Sequence, residues 1–177
     1  MNLQPIDPYE LTIRPHYLFD RQTLLLTAGD FTTGDFNCMT IGWGALGTMW
    51  NLPFVQIVVR PHRHTFLFTE KYPDFTVTAF PKEYKKDLAY LGTRSGRDEN
   101  KLVKTSLTPV ASHAVASPTY AQAELSIECR KVYSQDFDPT QFIDPTIHER
   151  YPLKDYHRVY YGEIVAVYGT AEYASKG

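Results

Sequence analysis

Alternation of apolar and polar residues with a period of two gives the clearest structural signal in this chain. In residues 123–133, AELSIECRKVY, the apolar Leu125, Ile127 and Cys129 alternate with polar side chains. This pattern is typical of a strand with one face on a core and the other in water. The same criterion, with strand-forming composition, predicts six strands: Thr23–Ala28, Asn37–Gly42, Phe54–Arg60, Phe75–Phe80, Ala123–Tyr133 and Val159–Tyr168.

Helical signals are short and few. Helical spacing of apolar residues predicts a helix after Pro81 that stops at Gly92, and a brief one over residues 64–71, HTFLFTEK. A further turn or two is expected within residues 98–104. The proline-rich residues 1–20 are expected to form an irregular arm. Because the strands do not alternate regularly with helices, the pattern favours a mainly β fold, an antiparallel barrel with a few short peripheral helices.

Residues 137–158 contain three prolines between two predicted strands. Proline fixes the backbone and removes a hydrogen-bond donor, so this segment is unsuited to the interior of a sheet. We expect it to form a long excursion on the surface or at a subunit interface.

Residues 36–50, FNCMTIGWGALGTMW, place three glycines and both tryptophans of the chain around a predicted strand. Glycine weakens a strand interior unless the strand bends or something approaches its backbone closely. GWGALG has the outline of a dinucleotide-binding motif, but that motif must open a helix, and TMWNLP is a poor helix start. Two interpretations remain. The backbone from Asn37 to Trp43 lies against a flat ligand, or the glycines form a bulge near a barrel corner, against another part of the chain.

Composition narrows the class of protein. The 177 residues suit a single domain, residues 1–177, and 43% apolar with 21% charged residues is ordinary for a globular chain. A formal charge of −2 with dispersed basic residues argues against a dedicated nucleic-acid-binding surface. No apolar run approaches the ~20 residues that span a bilayer, and the acidic start does not resemble a signal peptide. Two cysteines are too few for a disulfide framework, so we expect a cytoplasmic protein with no membrane or nucleic-acid partner.

Two stretches carry groups that bind anions. LGTRSGRDENKL, residues 91–102, combines hydroxyls, arginines and Lys101 in one predicted loop, which suits a phosphate monoester. VVRPHRHT, residues 58–65, places Arg60, Arg63 and Thr65 where a strand ends and a helix begins. Ordinary solvated surface charge is the alternative for both stretches.

The histidines suggest less. His62 and His64 are two residues apart, but no third ligand stands at a metal-binding spacing and the cysteines form no C-x-x-C pair, so no metal site is predicted. His157 precedes the last predicted strand. It is either a catalytic or substrate-orienting group, or a strand-edge residue.

Five motifs in order resemble the flavin reductase-like family, and within it the flavoredoxin-type proteins. They are NCMTIGWGALGTMWNLP (37–53), VVRPHRHT (58–65), FTVTAFP (75–81), LGTRSGRDENK (91–101) and HRVYYGEIV (157–165). The resemblance covers residues 24–167. It implies a Greek-key split β-barrel that binds FMN and works as a homodimer.

The resemblance also implies the residues of a site. The cofactor-binding positions would be Asn37, Cys38, Met39, Thr40, Trp43, Trp50, Arg60, Arg63, Thr65, Ser95 and Lys101, the last five on the phosphate. The glycines after Asn37 would let the strand press against the flavin ring. His157 matches a family histidine close to the nicotinamide or flavin, and its ordinary pKa of about 6.5 would suit proton transfer near neutral pH.

The implied activity is an FMN-dependent oxidoreductase that takes hydride from NAD(P)H and passes electrons to free flavin, a protein or a small acceptor. Two alternatives stay open: a flavoredoxin-like electron carrier reduced by a partner protein, and an FMN-binding module without turnover. The long segment before His157 departs from the family pattern, which leaves the electron donor undecided.

Overall fold

The computed structural model of the chain describes residues 3–175. Over these residues ten strands form: β1 (Gln4–Pro5), β2 (Leu24–Asp30), β3 (Asp35–Ile41), β4 (Gly44–Met49), β5 (Leu52–Val59), β6 (Asp74–Ala79), β7 (Pro109–Val110), β8 (Thr119–Tyr120), β9 (Leu125–Asp136) and β10 (Arg158–Gly169). The α-helices are α1 (Pro15–Asp20), α2 (His64–Lys71) and α3 (Lys85–Thr93). Short 3-10 helices cover Pro8–Glu10, Lys82–Tyr84, Lys101–Lys104, Pro139–Gln141 and Pro145–Arg150.

All six predicted strands are present, and their ends differ from the prediction by at most three residues. Both predicted helices form, as α2 and α3, and the turn expected within residues 98–104 forms as the 3-10 helix Lys101–Lys104. The mainly β fold class is therefore confirmed.

The strands form an antiparallel barrel. Eight of them make one sheet in the order β3-β2-β6-β9-β10-β5-β4, with β1 paired to β10 beside this path, while β7 and β8 pair separately. Every pairing between the described strands is antiparallel. Consequently β3 and β4, which are consecutive in the chain, are the two edge strands of the sheet.

Alternate residues of six strands point into a common core, as expected where a sheet curls around on itself. The core contains Leu24, Leu26, Ala28, Met39, Ile41, Val55, Ile57, Val59, Phe75, Val77, Ala79, Leu125, Ile127, Cys129, Tyr160, Ile164 and Val167. The apolar positions of the period-two pattern thus face the barrel interior. The polar face of β9, which was expected to lie in water, is instead buried at Ser126 and Glu128. There Thr119 Oγ1 donates to Ser126 Oγ, and the backbone N–H groups of His113 and Ala114 donate to the Glu128 carboxylate.

A second, smaller core attaches α3 to the outside of the barrel. Leu88 and Leu91 of α3 pack with Cys38 of β3, Leu25 of β2 and Tyr120. This packing lays the C-terminal end of α3 beside β3. The loop that follows α3 is thereby brought to the same strand.

Besides the two-residue strands β1, β7 and β8 and several 3-10 helices, two longer elements were not predicted. Residues 15–20, expected to be irregular, form α1, which begins at Pro15, where the missing backbone donor costs nothing, and buries Leu18 and Phe19. The glycine-rich stretch forms two strands, β3 and β4, separated by a corner at residues 42–43. As an edge strand β4 pairs with β5 alone, so it forms without a hydrophobic pattern of its own.

Residues 137–157, here called the strap, form the predicted excursion between β9 and β10. The backbone N–H of Phe137 donates to the carbonyl of His157 at 2.9 Å and closes the base of the strap. Its outer side chains Ile143 and Leu153 are 99% and 81% exposed. None of the helices formed by residues 3–175 combines the length and apolar character needed to cross a membrane.

Candidate functional site

Two pockets lie side by side along β3. The first, here called the polar pocket, has a volume of about 300 Å³ and is lined by Asn37, His62, Arg63, His64, Thr65, Gly92, Thr93, Arg94, Ser95, Gly96, Arg97 and Lys101. The second, here called the aromatic pocket, has a volume of about 210 Å³ and is lined by Met39, Thr40, Ile41, Gly42, Trp43, Val58, Arg60, Arg63 and His157. Arg63 lines both pockets, so the two pockets adjoin at this side chain.

The polar pocket forms where the loop after α3 comes close to β3. Gly96, in the loop after α3, lies so near β3 that a Cβ there would come within 2.4 Å of Asn37 Oδ1. Asn37 Nδ2 donates to Thr65 Oγ1 at 2.8 Å, and Thr65 Oγ1 donates to the Cys38 carbonyl at 3.1 Å. These bonds fix the first turn of α2 against β3. The N-terminus of α2 therefore opens into the pocket.

The polar pocket is strongly electropositive. Four of its twelve lining residues are arginine or lysine, and none of the twelve is aspartate or glutamate. Arg63, the N-cap residue of α2, has no side-chain capping bond, so the first backbone donors of the helix stay available at this end. A helix N-terminus beside unpaired cations is a favourable place for an anion.

Lys101 is 4% exposed and forms part of the pocket wall. Its Nζ donates to the carbonyls of Leu91 at 3.0 Å and Arg94 at 3.2 Å, which closes the C-terminal end of α3. Burial lowers the pKa of this ammonium. Since an ammonium has three donors, one N–H remains for another acceptor.

His64 also lines the polar pocket, although the sequence analysis did not select it for binding. Its Nδ1 is buried without a hydrogen-bond partner among the described residues. Burial, together with Arg97 and Lys101, lowers the pKa of His64, so the ring is neutral near neutral pH. A buried polar atom without a partner is unusual and indicates a place where a ligand or water completes the bonding.

The aromatic pocket is built by Trp43 at the β3–β4 corner and by His157 at the end of the strap. The two rings lie 5.1 Å apart, and Trp43 is 49% exposed at the pocket mouth. His157 is 8% exposed, and its Nδ1 lies 2.8 Å from the hydroxyl of Tyr151.

The expected pKa of His157, near its ordinary value, is wrong. Burial is the largest cause of a lowered pKa, Arg60 adds to it, and the pKa of His157 falls to about 4. The imidazole is thus neutral near neutral pH. Such a ring can form hydrogen bonds there, but it is a poor carrier of a proton.

Arg60 binds residues of the strap and does not line the polar pocket. Its Nη1 donates to both carboxylate oxygens of Asp155 at 3.0 and 2.9 Å, and its Nη2 donates to the Arg150 carbonyl at 2.7 Å. The Arg60 guanidinium lowers the pKa of Asp155, which also pairs with His62 Nδ1 at 2.8 Å. Asp155 thus partly neutralises Arg60, one of the cations that line the aromatic pocket.

The structure brings most of the implied site residues together. Those in the polar pocket are Asn37, Arg63, Thr65, Ser95 and Lys101; those in the aromatic pocket are Met39, Thr40, Trp43, Arg60, Arg63 and His157. Cys38 lies elsewhere, since it is wholly buried beneath α3. Trp50 lies at the β4–β5 turn against Tyr133 and Tyr161, at 6.0 Å from each ring, and lines neither pocket.

The glycines of residues 36–50 mainly accommodate the chain itself. A Cβ on Gly44 would come within 2.3 Å of the Phe19 ring of α1, and one on Gly47 within 3.3 Å of the Phe54 ring. For Gly44 and Gly47 the contact partner is another part of the chain, as the corner interpretation expected. Gly42 alone of the three lines the aromatic pocket.

Comparisons with known proteins agree with this architecture. The profile of the family described as "Flavin reductase like domain" matches residues 17–176. An uncharacterized protein of Archaeoglobus fulgidus is 29% identical over 133 residues, 75% of this chain and 73% of that protein.

Solved structures share the fold at lower identity. An FMN-binding domain of a flavin reductase-like enzyme from Shewanella baltica has a TM-score of 0.68 at 16% identity, covering 95% of this chain and 77% of that one. Flavoredoxin from Methanosarcina acetivorans has a TM-score of 0.66 at 22% identity, covering 85% and 69%. The barrel is thus a split barrel of the kind found in these proteins. Because the family profile spans nearly the whole sequence, the chain belongs to the flavin reductase-like family.

Proposed function

We propose that this protein is an FMN-dependent oxidoreductase that accepts hydride from NAD(P)H and delivers electrons to free flavin, a protein or a small acceptor. The observation that carries the proposal is the pair of adjoining pockets along β3, one cationic and one aromatic, joined at Arg63. FMN has the same two parts, a phosphate and a flat ring.

The polar pocket fits one phosphate group. The N-terminus of α2, the hydroxyls of Thr65 and Ser95 and the nearby cations are donors of the kind that a phosphate monoester requires. The uncompensated positive charge of the lining would be balanced by the dianion. This donor set favours FMN over riboflavin, which has no phosphate.

The aromatic pocket fits a flat, partly apolar ring. Met39, Trp43 and Val58 supply apolar surface, while Arg63 and His157 supply polar atoms at its edge. When bound, FMN supplies the hydride and electron transfer itself. The residues of this chain would bind the ring, exclude water from it and orient the second substrate.

An electron carrier of the flavoredoxin type is the second candidate. Trp43 stands half-exposed at the mouth of the aromatic pocket, which would let a protein partner approach the site. In that case a partner protein, and not NAD(P)H, would supply the electrons.

An anaerobic titration separates these functions. The purified protein with FMN bound is mixed in turn with NADH, NADPH and dithionite, and the flavin absorbance is followed. Rapid bleaching by a nicotinamide without any partner supports the reductase. Bleaching by dithionite alone supports the carrier, and failure to bind added FMN would overturn both functions.

The assembly and location that we propose are a homodimer in the cytoplasm. Met49, Trp50 and Tyr133 are each at least 40% exposed around the β4–β5 turn, which is a large apolar surface to leave in water. Cys38 and Cys129 are both free thiols, as expected in a reducing compartment.

A further inference from the structure

The contact between Tyr151 and His157 joins the strap to the aromatic pocket. The Tyr151 hydroxyl lies 2.8 Å from His157 Nδ1, and the two side chains belong to residues that are only 4% and 8% exposed. His157 is also one of the residues that line the aromatic pocket, where its ring lies 5.1 Å from that of Trp43. Tyr151 does not line the pocket itself, and its hydroxyl reaches the pocket through this histidine.

The ring of Tyr151 packs against two other side chains. Phe142 stacks on it with centroids 6.1 Å apart and an angle of 14° between the planes, and the Cζ of Arg60 lies 4.9 Å from the ring centroid. Arg60 is itself held by Asp155. A hydroxyl on a ring clamped in this way has little freedom to turn away from His157.

The protonation states of the two side chains decide which of them donates the hydrogen bond between Tyr151 and His157. Burial raises the pKa of Tyr151, so its hydroxyl keeps its proton near neutral pH. Among the described residues that proton has no acceptor other than His157 Nδ1, so Tyr151 donates and Nδ1 accepts. A neutral imidazole carries one proton, which must then be on Nε2.

Burial is the main cause that keeps His157 neutral, and the charged groups around it do not reverse this effect. Arg60 and His62 disfavour a positive charge on the ring, and Asp155, which favours one, is already paired with both of them. Nε2 thus keeps its single hydrogen across neutral pH.

We propose that Tyr151 is a positioning residue that locks His157 in the Nε2–H form, so that Nε2–H donates a hydrogen bond to a carbonyl-type oxygen of the second substrate in the aromatic pocket. His157 would then orient and polarise this oxygen without transferring a proton. The donor role rests on the proposed function, since it requires a second substrate beside the flavin. The tautomer does not depend on that function.

Nitrogen-15 NMR of ring-labelled histidine tests the tautomer on the protein without flavin, with the His157 signals assigned by their loss in His157→Gln. We expect a pyrrole-type Nε2 and a pyridine-type, hydrogen-bonded Nδ1 at neutral pH. Tyr151→Phe removes only the hydroxyl, and we expect its His157 signals to move to values that show both tautomers. Tyr156→Phe removes from the same strap a hydroxyl that forms no hydrogen bond within residues 3–175, and it should leave these signals unchanged.

Two NMR outcomes would overturn the proposal. One is a wild-type His157 with the proton on Nδ1 or with a charged ring near neutral pH. The other is a Tyr151→Phe spectrum identical to that of the wild type.

Stopped-flow reduction tests the donor role. Loss of one hydrogen bond predicts that Tyr151→Phe slows flavin reduction by NADH or NADPH by about three- to tenfold. FMN affinity and reduction by dithionite, which needs no oriented carbonyl, should equal those of Tyr156→Phe. If NADH and NADPH reduced the flavin at the same rate in Tyr151→Phe as in Tyr156→Phe, the donor role would be overturned. A protein that fails to bind FMN would overturn the proposed function, whereas the NMR result would still decide the role of Tyr151.

Discussion

His157 is a buried, neutral side chain, so its protonation is coupled to folding. Its pKa is about 4 in the folded protein because of burial and the nearby Arg60, against about 6.5 in an unfolded chain. Between these values the unfolded state binds more protons than the folded state. The free energy of unfolding therefore decreases as the pH falls through this window, and the effect is absent above it.

We expect the free energy of unfolding of the wild type to fall by on the order of 2–3 kcal/mol from this group between neutral pH and about pH 4. His157→Gln, which cannot titrate, should show a correspondingly shallower pH dependence. Urea unfolding of both proteins at several pH values measures the difference. Parallel curves would mean that His157 titrates normally in the folded state.

At the same scale, Arg63 and Arg60 are expected to differ in how much each contributes to the affinity for the FMN phosphate. Arg63 lines the polar pocket, whereas Arg60 is engaged by Asp155. A charge-assisted bond to phosphate contributes about 1.5–3 kcal/mol, so Arg63→Ala should weaken FMN about tenfold or more relative to its effect on riboflavin. Arg60→Ala should change the two affinities by similar factors. Calorimetric titration with FMN and with riboflavin gives the ratio of the two affinities. If Arg63→Ala weakened both flavins equally, Arg63 would contact the ring and not the phosphate.

At the scale of elements, α1 packs closely on β4 because Gly44 of β4 has no side chain. A Cβ on Gly44 would lie 2.3 Å from the Phe19 ring and 2.6 Å from the Gln56 carbonyl, whereas one on Gly42 would meet only the Phe19 carbonyl, at 3.4 Å. Forcing atoms into packed space typically costs about 1–3 kcal/mol. Gly44→Ala should lower the free energy of unfolding by that amount, and Gly42→Ala by far less.

Thermal and urea unfolding of the two glycine variants measure this difference. Hydrogen exchange at residues 15–20 would show whether α1 becomes detached in Gly44→Ala. Equal stability of the two variants would contradict the close packing of Phe19 on Gly44.

At the scale of the whole molecule, we expect the proposed homodimer to use the surface around the β4–β5 turn. A groove of about 630 Å³ lies there, lined in part by Met49, Trp50, Tyr133 and Phe137. If a second copy covers this groove, sedimentation at micromolar concentration should give a dimer, and Tyr133→Lys should give a monomer with an intact fold. Leu153→Lys, on the outer side of the strap, provides the control. A wild-type monomer with FMN bound would contradict the proposed assembly.

The sequence by itself determined the six longer strands that it predicted and the charges of the site. Alternation of side chains is a local property of extended backbone, so the pattern in β6 and β9 was sufficient to place these strands. It did not show that Ser126 and Glu128, on the face of β9 that was expected to lie in water, are buried by another part of the chain. The cationic groups also lie within short segments, residues 60–65 and 94–101, so the sequence could predict them as anion-binding groups before the fold showed where they come together. The edge strand β4 was missed because it pairs on one side only and is too rich in glycine to show a pattern.

Only the tertiary structure decided which of these groups act together. Arg60 meets Asp155, 95 residues later, and Tyr151 meets His157 beside Trp43. Of the two tryptophans in one glycine-rich stretch, Trp43 lines the aromatic pocket, whereas Trp50 lines neither pocket of the candidate site. The pKa of His157 likewise depends on the strap that buries it. These features arise from long-range packing and from the low polarity of the interior, and neither is encoded in the local spacing of residues.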